Sequence, residues 1–183
     1  MITLTHTRMR VPNDRIRVTS LKQVDVGCGI AWSAVLRADR RTLGAITNDG
    51  HGGATLFRPE DSEARNTVDR FVSKCRDHHG ESMSEESVLD NLANEYEYAR
   101  DVARAERAGQ YLVRYFDRVD IPGFIRFELT RTAPPDYDGA LRATARLTLP
   151  EEAVRAELWM GQRGWIEFHR TEEADDQYPQ GPR

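Results

Sequence analysis

Six consecutive residues, Asn48-Asp49-Gly50-His51-Gly52-Gly53, put a carboxylate and an imidazole among three glycines. Asp49 and His51 have the side chains for acid/base work or metal binding, and the backbone amides of such a loop can cradle an anion. The same residue types also close turns: Asn48, Asp49 and Gly50 accept positive φ, while Gly52 and Gly53 allow the chain a close approach. A phosphate-cradling loop runs from a strand into a helix and carries a lysine. This segment joins strand to strand and is not a Walker loop. The first reading is therefore a hairpin turn, and a nucleotide- or metal-dependent enzyme built on residues 48–53 is the alternative.

Other chemistry-bearing residues are sparser. His78 follows Cys75 at Cys-x-x-His spacing, with His79 beside it, but no second half completes a zinc arm. Ser33, Ser73, Cys28 and Cys75 lack an elbow motif or a base adjacent in sequence, so nucleophilic catalysis has no signature here. No cofactor or metal is expected. Arg126, Arg142 and Arg146 are expected on one exposed sheet face, where paired guanidinium donors grip carboxylates or phosphates. They are the candidate partner surface, with Tyr111 and Tyr115 as nearby stacking or core rings. Glu85, Glu86, Asp90, Glu95, Glu97 and Asp101 could imitate a phosphate backbone, although Arg100 and Arg104 interrupt them; a solvated helix face is the plainer reading.

The elements that must position these groups follow from periodicity. Residues 15–25 and the alternation Ile30, Trp32, Ala34, Leu36 predict strands, Asp39-Arg40-Arg41 a turn, 42–47 the return strand and 54–57 a strand after the glycine corner. The last three form a meander. Ala64, Val68, Phe71, Val72 and Cys75 recur at helical spacing behind Pro59-Glu60-Asp61, and Gly80 ends that helix. Ser82 with Glu85 three residues on predicts a capping box for a second helix, terminated by Gly109. Strands are expected at 111–116 and 125–129. After a Pro134-Pro135 loop, Leu141, Ala143, Ala145, Leu147 and Leu149 alternate with polar residues as in a half-buried strand. Thr148 to Met160 predicts a short helix and 165–169 a last strand. The fold class is α+β: antiparallel sheets, an antiparallel helix pair between the N-terminal and C-terminal strands, and a short C-terminal helix. Residues 1–170 are expected to form a single domain with possible subdomains at 1–58, 59–109 and 110–170, followed by a flexible acidic tail at 171–183.

The chain has 183 residues, enough for a sizeable core, and a net charge of -4. That charge is uneven, with nine basic against five acidic residues in 1–60, seven against twelve in 61–110 and ten against thirteen in 111–183. No strongly basic half argues for general phosphate coating, so nucleic-acid binding through the C-terminal arginines is the lesser alternative. Two cysteines are too few for a disulfide framework and imply reduced thiols. With no signal-like start and no long apolar run, a cytoplasmic protein without membrane contact is expected. Lys22 and Lys74 are the only lysines, an arginine bias that points to a GC-rich bacterial or phage source.

The stretch Trp32-Ser33-Ala34-Val35-Leu36 through Thr47-Asn48-Asp49-Gly50-His51-Gly52-Gly53 resembles a hairpin of small accessory proteins of actinobacterial phages and prophages. The order of elements is similar too: a hairpin with an Asn-Asp-Gly-x-Gly-Gly corner, helices, a Tyr/Phe-rich strand pair and a short closing helix. The match covers about a third of the chain, and Asp39-Arg40 stands where that pattern commonly has Asp-Gly. The resemblance implies a phage-derived protein acting in the host cytoplasm and carries over no catalytic residue. The function expected is non-catalytic binding of a host or phage protein, as an inhibitor or modulator.

Overall fold

A four-stranded antiparallel meander forms the frame of the N-terminal half: β3 (Ile16–Asp25), β4 (Ile30–Ala38), β5 (Arg41–Asn48) and β6 (Leu56–Pro59), in that spatial order. The computed structural model describes residues 1–119, 122–129 and 135–171; the Pro134 half of the expected Pro-Pro loop and the acidic tail beyond Thr171 lie outside them. Contacts divide the chain into two units, Met1–Ala99 and Arg100–Arg183. The architecture is α+β, with antiparallel sheets and a helix pair between the N-terminal and C-terminal strands.

In the first unit, Ile16, Val18, Ala34, Leu36, Ile46 and Phe57 on one face of the sheet pack with Ala64, Val68, Phe71, Val88, Leu89 and Leu92. The latter come from α1 (Ser62–Val72) and from the first part of α2 (Glu85–Ala108). A short pair, β1 (Ile2–Thr3) with β2 (Arg10–Val11), adds Met9 and Val11 to this core. Asp61 caps α1 by accepting the Ala64 amide at 2.7 Å.

Helix α1 stops at Val72, earlier than the Cys75 and Gly80 expectation. The amides of Lys74 and Cys75 turn to the carbonyls of Phe71 and Val72, and Arg76 then leaves to pair its backbone with Arg10 at 2.8 and 2.9 Å. Long-range pairing thus outcompetes one more helical turn. The second helix is capped by Ser84, whose Oγ accepts the Ser87 amide at 3.1 Å, in place of the expected Ser82. Ser82 is held in a bridge to Arg76 instead. Gly109, at φ 70, follows the last residue of α2 as expected.

The second unit holds the end of α2 and a sheet of β7 (Tyr111–Phe116), β8 (Pro122–Phe127), β9 (Arg155–Trp159) and β10 (Trp165–Arg170), in the order β10-β9-β7-β8. Here the expected strand at 141–149 and helix at 148–160 exchange places. Residues 137–143 form α3 (Tyr137–Ala143), capped by Asp136 on the Gly139 amide at 2.7 Å, and Thr144–Arg146 continue as a 3-10 turn. Tyr137, Ala140, Leu141 and Thr144 satisfy helical spacing as well as the alternation does, and the Asp136 cap decides between them. Pro150 heads a turn in which Ala153 N bonds its carbonyl at 3.0 Å. Arg155 to Trp159, though rich in helix formers, becomes the strand between β7 and β10 because Ala156 and Leu158 fill the core. The short helix therefore precedes the last two strands.

Candidate functional site

Antiparallel order puts the β3–β4 turn and the β5–β6 turn at the same end of the first sheet, and the glycine corner is the second of these. Asn48 organises it: Oδ1 accepts the Gly50 amide at 2.9 Å, and Nδ2 donates to the Gly53 carbonyl and Thr55 Oγ1, both at 3.1 Å. Asp49 Oδ1 accepts the His51 amide at 3.0 Å. Two loop amides are thus satisfied by their own side chains, which is turn chemistry and leaves them unavailable to a phosphate. Gly50 has φ 76°, the left-handed region expected of it; Asn48 and Asp49, expected there too, do not reach it, and Gly52, expected only to allow a close approach, has φ 79°.

The corner is also anchored from α2. Thr55 is buried; its amide donates to Glu86 Oε1 at 3.0 Å and its hydroxyl to Asp90 Oδ1 at 2.6 Å. Burial raises the Asp90 carboxyl above its ordinary range, the Thr55 hydrogen bond opposes this, and the Glu86 charge adds to it.

Where the two turns cross, Gly29 lies against Gly50, and a Cβ on Gly29 would collide with the Gly50 carbonyl oxygen. A Cβ on Gly50 would lie 2.5 Å from the Ala31 nitrogen. This crossing carries Cys28 to the corner, with Sγ 3.5 Å from His51 Nδ1. Asp49, His51 and Cys28 are all exposed. The sequence offers Cys28 no adjacent base, and its pairing with His51 is not legible there because 23 residues separate the two. Its signal was the meander itself, which brings alternate turns to one end.

Among the described residues no group of three or more His, Cys, Asp or Glu is assembled to hold a metal. Cys75 is buried while His78 and His79 are exposed beyond the end of α1, so the Cys-x-x-His spacing does not become a ligand arm.

The three C-terminal arginines do not share a sheet face. Arg126 lies on β8 and donates to Asp101 Oδ1 at 2.7 Å, Arg142 lies on α3, and Arg146 ends the 3-10 turn. The expectation fails because its middle element is helical. Tyr111 stacks on Phe127 with ring centroids 5.5 Å apart, and its hydroxyl accepts the Asp136 amide at 2.8 Å; it closes a core. The acidic residues of α2 are likewise engaged internally: Glu85 with Arg65, Glu86 and Asp90 with Thr55, Glu95 with His6 and Thr7, Glu97 with Gln23, and Asp101 with Arg126. They do not form a free phosphate-like row.

A different surface emerges on the face of the first sheet opposite its core. Register places Arg17, Ser20, Lys22 and Val24 of β3 on it, with Ala31, Ser33, Val35 and Arg37 of β4. Thr42, Ala45 and Thr47 of β5 and Leu56 and Arg58 of β6 complete it. These residues include four cations and no carboxylate. Val24 and Leu56 are 63% and 55% exposed, so the helices cover only the other face. Sequence parity concealed this surface: register shifts at Thr19 and Leu43 reset the alternation, so Arg17 and Lys22 fall on one side despite an odd spacing.

No protein-family model, curated protein or solved structure matches the chain. Among the described residues, no helix is long and apolar enough to cross a membrane.

Proposed function

We propose that this protein is a non-catalytic binding protein whose first unit docks an acidic surface of a protein partner on the outer face of β3–β6. The observation that carries this reading is the composition of that face: Arg17, Lys22, Arg37 and Arg58 around an aliphatic and hydroxyl centre, with no acid among its residues. A rigid sheet holds such groups at fixed separation, and an apolar centre inside a charged rim is the anatomy of a protein interface. A single-stranded nucleic acid would favour aromatic stacking platforms, and this face carries no aromatic ring. The phage resemblance adds the partner class, a protein of the host cytoplasm that this chain inhibits or modulates.

The test is affinity capture from host lysate followed by titration of the recovered partner against the wild type and the Lys22→Glu/Arg58→Glu variant. A specific partner whose binding is lost in the variant is the expected result. Binding of equal strength in both proteins overturns the assignment of this face, and retention of DNA or RNA by the same residues overturns the protein-partner reading.

A further inference from the structure

We infer that Cys28 and His51 form a reactive thiol–imidazole pair, a site of thiol–disulfide exchange with low-molecular-weight disulfides. The inference is independent of the docking face. It starts from geometry: Cys28 Sγ lies 3.5 Å from His51 Nδ1, and the other acceptor near it, the Val26 carbonyl oxygen, is more distant at 4.0 Å. The imidazole nitrogen is therefore the nearer hydrogen-bond partner of the thiol, and it accepts the thiol proton in the tautomer that carries its hydrogen on Nε2.

The two side chains belong to different turns, and their meeting is fixed by backbone. The Gly29–Gly50 crossing tolerates no Cβ, so these turns approach more closely than ordinary residues permit. Each turn is further pinned by its own carboxylate: Asp25 Oδ1 accepts the Gly27 amide at 2.7 Å, and Asp49 Oδ1 accepts that of His51 at 3.0 Å. Both partners are exposed, so a dissolved disulfide reaches the sulfur.

The second cysteine provides a contrast within the same molecule. Cys75 is buried, its Sγ donates to the Phe71 carbonyl at 3.4 Å, and burial pushes its thiol up to about 11 against the opposing charge of Arg76. Reactivity requires access to the sulfur, which Cys75 lacks in the folded protein and Cys28 has.

In the exchange step, His51 Nδ1 takes the Cys28 proton as the sulfur attacks one sulfur of a disulfide RSSR. The R–S–S–R bond breaks, a Cys28–S–S–R bond forms, and the departing RS⁻ collects the proton from the imidazolium. Cys28 is oxidised and one RS group is reduced, so the added disulfide is the sole oxidant required.

The experiment treats the full native chain with excess 5,5′-dithiobis(2-nitrobenzoate) across a pH series, and with glutathione disulfide followed by intact mass. One thiol per chain is expected to react, with Cys75 reacting only after denaturation. Cys28→Ser abolishes the native reaction. His51→Gln slows it roughly tenfold at neutral pH and changes the shape of the pH–rate profile. His51→Asn, a residue suited to the same turn, gives the same loss. Wild-type rates and an unchanged pH profile in both His51 variants overturn the inference, as does a native Cys28 that reacts no faster than Cys75.

Discussion

Arg114 on β7 and Glu157 on β9 stand opposite one another and are both buried, the guanidinium donating through Nε and a terminal nitrogen to Oε2 at 2.8 and 2.6 Å. Arg155 supplies the other carboxylate oxygen, donating to Oε1 at 2.8 Å, and the Arg114 guanidinium lies 4.3 Å from the centre of the Trp165 ring. Removing one partner leaves a charge in a dry site. Glu157→Gln is expected to destabilise the protein by about 3–5 kcal/mol, whereas Arg114→Met with Glu157→Leu recovers most of that loss. Urea unfolding followed by circular dichroism checks both; a Glu157→Gln variant of wild-type stability would contradict the account.

The crossing of the two turns predicts unequal costs for two adjacent-looking substitutions. Gly50 and Gly52 share left-handed backbone, but a Cβ at Gly52 meets nothing within 4 Å, whereas one at Gly50 meets the Ala31 backbone. Gly52→Ala should cost only conformational strain, about 1–2 kcal/mol. Gly50→Ala adds a collision with backbone and should cost clearly more, in the range of roughly 3 kcal/mol or above. Equal losses in denaturation would show that the turns separate freely.

Asp90 gives a pH dependence of definite sign. Its carboxyl is raised in the folded state, first by burial, so the folded protein holds the proton more tightly than the unfolded chain. The associated stability is fully present below the ordinary aspartate range, about 4, and is lost as pH rises through the raised value. Asp90→Asn keeps an oxygen for Thr55 and removes the titration. The stability of this variant relative to the wild type should therefore improve as pH rises from acid to neutral, measured as the difference in urea midpoint at successive pH values.

Lys22 and Arg58 sit on the two edge strands of the first sheet, both exposed. Their replacement by glutamate should leave stability within about 0.5 kcal/mol, because neither contributes to the core. Partner affinity should drop tenfold or more and show a weaker dependence on salt. Calorimetry at two ionic strengths separates this from a general loss of fold.

Local signals were legible wherever a residue type had one structural use. The strand–turn–strand at 30–48, the positive backbone angle at Gly50, the Asp61 region opening a helix and Gly109 closing another all stand as their chemistry implies. Segments with two compatible patterns were not legible. Residues 141–149 alternate and also satisfy helical spacing, while 155–159 have helix-forming composition yet lie between two strands. In the first a side-chain cap decided; in the second, burial between neighbouring strands.

Composition and spacing alone determined an α+β chain, a meander closed by a glycine corner and a surplus of cations in residues 1–60, because these depend on contacts between near neighbours in sequence. Tertiary structure alone decided which groups meet. The bulge at Thr19 set Arg17 on the same face as Lys22, strand pairing added Arg37 and Arg58, and the Gly29–Gly50 crossing set Cys28 beside His51. A one-residue register shift moves every later side chain to the opposite face, and such a shift is settled by pairing with another strand rather than by the residues that carry it.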